Sequence, residues 1–85
     1  MGIKQIPLKP FIKWLESIGL ELQKSQSHNS SHVSYNYPKG DPMRLNRPIT
    51  VRLKYKDIPM LHIHTNLQTL GISKADFEVG IKQFL

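Results

Sequence analysis

Two short runs of alternating residues constrain this chain more than any other feature. In Ser31-His32-Val33-Ser34-Tyr35-Asn36-Tyr37-Pro38, the residues Val33, Tyr35 and Tyr37 fall on one face of a strand and His32, Ser34 and Asn36 on the other. In Ile49-Thr50-Val51-Arg52-Leu53-Lys54-Tyr55-Lys56, the inward set is Ile49, Val51, Leu53 and Tyr55, and the outward set is Thr50, Arg52, Lys54 and Lys56. Paired as an antiparallel hairpin, the two strands must bring their apolar faces together. The outer surface then carries His32 near Arg52 and Lys54.

A chain of 85 residues suits one small domain, 1–85, with a thin two-layer core and no room for a deep, enclosed active site. Its 12 Lys and Arg against 6 Asp and Glu give a formal net charge of +6, which favours polyanionic partners such as nucleic acid. Half of those cations, Lys39, Arg44, Arg47, Arg52, Lys54 and Lys56, lie between residues 39 and 57, against Asp41 and Asp57 alone. The bland alternative is a solvated surface. There is no cysteine, so disulfides and thiolate catalysis are excluded. Met1-Gly2-Ile3-Lys4-Gln5-Ile6-Pro7 lacks the apolar core of a signal peptide, and no run approaches the roughly 20 apolar residues of a membrane span. The expectation is a cytoplasmic protein with no membrane partner.

Taken in order, Leu8, Phe11, Ile12, Leu15 and Ile18 recur at helical spacing, which predicts a first helix over 7–19, opened by Pro7 and Pro10 and stopped by Gly19. Trp14 sits at the margin of that stripe and is read as core. A first strand is predicted over about 20–25, a second over 32–37 ended by Pro38, and a third over about 49–56, with 39–48 a long loop able to reach over a ligand. Asp57-Ile58-Pro59 is read as a break, and Met60-Leu61-His62-Ile63-His64 as a brief fourth strand or an extended return with His62 and His64 on one face. Thr65 to Gly71 reads as a helical turn closed by glycine. Ser73-Lys74-Ala75-Asp76 then caps a last helix over about 73–84 that carries Phe77, Ile81 and Phe84. The pattern predicts an α+β domain of order α-β-β-β-α: a small antiparallel sheet of three strands, or four if 60–64 joins it, with two helices on one face and the other face wet.

On that wet face His32 is the first candidate for chemistry. An imidazole can take the proton from a ribose 2′-hydroxyl while Arg52 and Lys54 stabilise charge on the adjacent phosphate. The alternative is a plain exposed strand residue. His62 and His64 at i and i+2 on a strand would point the same way, but the chain offers no third ligand, so no metal and no cofactor is expected. One of the two packs at the sheet edge, or lies beside His32 and helps bind phosphate. No phosphate-binding glycine loop, useful carboxylate pair or zinc motif occurs, which argues against nucleotide hydrolysis and zinc enzymes.

Against this background the sequence resembles the HicA-like family of mRNA interferase toxins, which have a fold like that of double-stranded-RNA-binding domains. Leu15-Glu16-Ser17-Ile18-Gly19-Leu20 is similar to the family's end of helix one, Ser31-His32 to its Gly-Ser-His motif, and Arg47-Pro48-Ile49-Thr50-Val51 to its third strand. The resemblance implies a toxin of a type II toxin–antitoxin system, a metal-independent endoribonuclease whose substrate is mRNA. It also implies a catalytic histidine, carried over to His32, and a HicB-like antitoxin partner. Ser31, Ser34, Arg52, Lys54 and Lys56 would hold the RNA. Ser30 stands where the family has glycine, and Ser27-His28 lies nearer the family's distance from helix one, so His28 is the alternative catalytic residue. The rival functions are a non-catalytic RNA-binding module of the same fold, and a protein-interaction domain whose sheet edge docks a partner strand.

Overall fold

A computed structural model of the chain describes residues 5–23, 32–54 and 56–85. In chain order its elements are strand β1 (Gln5–Pro7), helix α1 (Leu8–Ser17), strands β2 (Glu21–Leu22), β3 (His32–Asn36), β4 (Ile49–Arg52) and β5 (Asp57–Pro59), and helices α2 (Met60–Leu70) and α3 (Lys74–Ile81). A 3-10 turn at Lys82–Phe84 closes the chain.

The alternating runs form the expected antiparallel hairpin. Val33 pairs with Val51 and Tyr35 with Ile49 on one face, and His32 with Arg52 and Ser34 with Thr50 in the intervening register; β2 adds on the far side of β3. Tyr35, Tyr37, Ile49 and Val51 are buried. They share one core with Phe11, Trp14 and Leu15 of α1, Ile63 and Leu67 of α2, and Phe77 and Ile81 of α3. Trp14 is indeed core: its ring meets Phe77 edge-on at a centroid distance of 4.7 Å. The chain is therefore α+β, a small three-stranded antiparallel sheet whose apolar face is covered by helices.

Two elements differ from the sequence reading. The segment expected as a fourth strand is the first turn and a half of helix α2, because Ile63 and Leu67 at i and i+4 both reach the core. That makes three α-helices among the described residues, not two. Asp57-Ile58-Pro59 does not break the chain into a loop but forms β5, which pairs antiparallel with β1 in a separate two-stranded ribbon, Ile6 opposite Ile58. Pro7 and Pro59 each sit between a strand and a helix, at φ −57°, ψ 146° and φ −59°, ψ 145°. Proline has no N–H for a ladder and a φ already suited to a helix start, so the Ile-Pro step serves twice as a strand-to-helix corner. The third strand stops at Arg52, earlier than the alternation suggests; Leu53 is 41% exposed and Tyr55 lies outside the described residues.

Helix ends follow their local chemistry. Gly71 takes the left-handed conformation, φ +72°, and stops α2. Ser73 Oγ accepts a hydrogen bond from the Asp76 N–H at 3.1 Å and opens α3. Among the described residues no helix is long and apolar enough to cross a membrane.

Candidate nucleic-acid interface

The outer side of the β3–β4 hairpin presents Ser34, Thr50 and Arg52, the last two exposed. Arg52 sits opposite the backbone of His32 in the register. Ser31 and His28 lie outside the described residues.

β4 is the edge strand of its sheet, and helix α2 packs along it. The anchoring contact is the buried Asn66, whose Nδ2 donates to the Thr50 carbonyl at 3.3 Å. A side-chain amide bonded to an edge carbonyl blunts an edge that would otherwise be open to a further strand. Between strand and helix lies a recess of about 280 Å³ lined by Thr50, Arg52, His62, Thr65 and Asn66. It offers one guanidinium, one imidazole, two hydroxyls and an amide. Of these, Asn66 Nδ2 is held by Thr50 and the Thr65 hydroxyl donates back to Leu61 O at 3.0 Å. The guanidinium is the side chain suited to gripping a phosphate in two places.

Lys54 and Lys56 do not continue the row begun by Arg52. With β4 ended, they line a different hollow, about 570 Å³, together with Pro7, Leu8, Lys9, Pro10 and Leu53. The Leu8 N–H donates to Lys56 O at 3.0 Å, tying that turn to the start of α1. The predicted RNA-contacting residues thus divide: Ser34 and Arg52 belong to the sheet, Lys54 and Lys56 to a basic hollow beside it that also gathers Lys9.

The loop after β3 is tied down rather than extended over the sheet. Asn36 is buried; its Oδ1 accepts from the Tyr37 and Leu45 N–H groups at 2.8 and 2.9 Å, and its Nδ2 donates to Leu45 O at 3.0 Å. Arg44 Nη1 donates to Tyr37 O at 2.7 Å, so this cation serves the fold. Burial raises the Tyr35 hydroxyl pKa, helped by the Glu16 charge, and raises that of Tyr37, helped by Asp41.

His62 and His64 do not share a face. Two positions on a helix differ by roughly 200° about its axis, so His62 lines the recess beside β4 while His64 lines the groove between α2 and α3. The shared-face geometry expected of a strand pair is therefore lost. Residues 62, 65 and 66 lie at i, i+3 and i+4, so the polar flank that lines the recess with β4 was readable once the helix is recognised. Compared with known proteins, the chain matches no protein family, and no curated protein or solved structure shows significant similarity to it.

Proposed function

We propose that this chain is an endoribonuclease toxin of the HicA-like kind, which cleaves mRNA on the outer face of the β3–β4 hairpin with His32 as general base. The observation that carries the reading is the register, which sets the backbone of His32 directly across from the exposed Arg52. In the proposed reaction the imidazole takes the proton of a ribose 2′-hydroxyl. The 2′-oxygen bonds to the adjacent phosphorus, the bond to the 5′-oxygen breaks, and a 2′,3′-cyclic phosphate and a 5′-hydroxyl result. Because the nucleophile belongs to the substrate, the step calls for no metal-activated water. Arg52 neutralises charge on the non-bridging oxygens. The physiological partner in this reading is a HicB-like antitoxin that covers the same face in the cytoplasm.

The test is cleavage of a defined RNA in the presence of a chelator by the wild type, His32→Ala, His28→Ala and Arg52→Ala. Wild-type cutting that His32→Ala abolishes, with rate losses of about 10²-fold or more for Arg52→Ala, supports the proposal. Intact RNA at saturating wild-type protein sinks it, and silence of His28→Ala alone transfers the role to that residue.

The basic hollow of Lys9, Lys54 and Lys56 favours a second reading, RNA binding without cleavage. Under it, Lys54→Ala weakens binding across sequences and lowers the dependence of affinity on salt by roughly one phosphate contact, while His32→Ala changes little.

A further inference from the structure

The endoribonuclease reading leaves one requirement unmet: the departing 5′-oxygen is a poor leaving group and needs a proton. We propose that His62 supplies it, as the general acid of a two-histidine site built across strand β4. The inference rests on the endoribonuclease reading and adds a residue to it.

The geometry is that of the sheet edge. β4 has β3, with the His32 position, on one side and is approached by α2, with His62, on the other. Arg52 lies between them, paired with His32 through the backbone and lining the recess with His62. An in-line displacement at phosphorus needs attacking and leaving oxygens on opposite sides of the transferred group. At the level of the backbone, the His32 position and the helix that carries His62 lie on opposite flanks of the strand that bears Arg52. Of the side chains lining the recess, the imidazole is the one suited to giving a proton to an alkoxide: a guanidinium stays protonated, and Thr50, Thr65 and Asn66 carry hydroxyls and an amide far too weakly acidic. Asn66, one turn beyond His62, is bonded to Thr50 O at 3.3 Å, which ties this part of α2 to β4.

The steps balance without a co-reactant. His32 gains the 2′-hydroxyl proton as the 2′-oxygen–phosphorus bond forms. His62, as imidazolium, loses its proton to the 5′-oxygen as the phosphorus–oxygen bond breaks. Exchange with water then returns both rings to their starting states.

Two substrates separate acid catalysis from every other role. An ordinary RNA dinucleotide has an alkoxide leaving group; uridine 3′-(4-nitrophenyl phosphate) has a phenolate that departs without a proton. His62→Gln is expected to slow the dinucleotide by about 10²-fold or more and the nitrophenyl ester by only a few-fold, whereas His32→Ala slows both. His64→Gln, on the other side of α2, leaves both rates unchanged. The ester rate that survives in His62→Gln also reports that the variant is folded; if it does not melt cooperatively, the same ratio is read in His62→Asn. Equal losses on both substrates in a folded variant, or no loss on either, overturn the inference while leaving the nuclease intact. A wild type that cuts neither substrate overturns the nuclease reading and this inference with it.

Discussion

At the scale of single residues, the most demanding positions are ones whose role is set by what lies across the core. Gly80 looks like a weak point in a helix, where glycine costs about 1 kcal/mol relative to alanine. A Cβ there would lie 2.7 Å from Trp14 Nε1, and Trp14 is wedged between Phe11 and Phe77 and only 3% exposed. Gly80→Ala is therefore expected to destabilise by about 1–3 kcal/mol, despite the better helix propensity, because the indole must shift in a filled core. Urea unfolding measures it, and a raised midpoint would refute the contact. Asn36 shows the same limit of sequence reading. Alternation put it on the wet face with Ser34, yet the loop returns over it, and its amide exchanges two hydrogen bonds with Leu45 while accepting a third from the Tyr37 N–H. That contact joins positions nine residues apart, and nothing in a strand's own pattern encodes it. Tyr35, Ile49 and Val51, by contrast, were legible because a period of two leaves no other face for them.

At the scale of elements, legibility tracked length. The 10 residues of α1 hold enough turns for the helical period to stand out, and the boundaries differ from expectation only at the ends. Met60 to His64 is five residues, too few for the helical period to stand out against the alternation of Leu61 and Ile63. The structure separates them: Leu61 is 72% exposed and Ile63 fully buried. In a strand the two would share a face and a fate. We expect Ile63→Ala to cost about 2–5 kcal/mol and Leu61→Ala to be within about 0.5 kcal/mol of neutral. Equal losses for the two would restore the strand. This choice also decides the site. As a strand the segment would offer His62 and His64 together; as a helix it sends His62 alone to Arg52, so the proposed acid was hidden behind one ambiguous period. The β1–β5 ribbon was hidden for another reason, since its two Ile-Pro strands are three residues each and meet only through tertiary pairing.

At the scale of the whole molecule, the positive charge and the buried phenols act on stability in opposite directions as pH rises. The chain carries +6 near neutrality and a pI near 9.9, so approaching that pH relieves self-repulsion and favours the compact state. The hydroxyls of Tyr35 and Tyr37 oppose this. Their folded pKa is raised above the ordinary value of 10.0 by burial, with Glu16 adding to the first and Asp41 to the second. Below about pH 10 both folded and unfolded chains keep these protons and the phenols contribute no pH dependence. Above it the unfolded chain ionises first, binds fewer protons than the folded one, and is stabilised relative to it. The stability carried by the neutral phenols is thus present below the unfolded pKa and is lost as pH climbs through the folded one. Because charge relief acts on every variant alike, the phenol contribution is isolated by difference. The stability of Tyr35→Phe relative to wild type should be constant up to about pH 9 and then rise steadily in favour of the variant, which has no hydroxyl to ionise. Urea unfolding of both proteins at matched pH values gives that difference directly. A flat difference through about pH 11 would mean that the Tyr35 hydroxyl ionises as readily in the folded sheet as in the open chain. The core between β3 and α1 would then be wetter than its packing indicates.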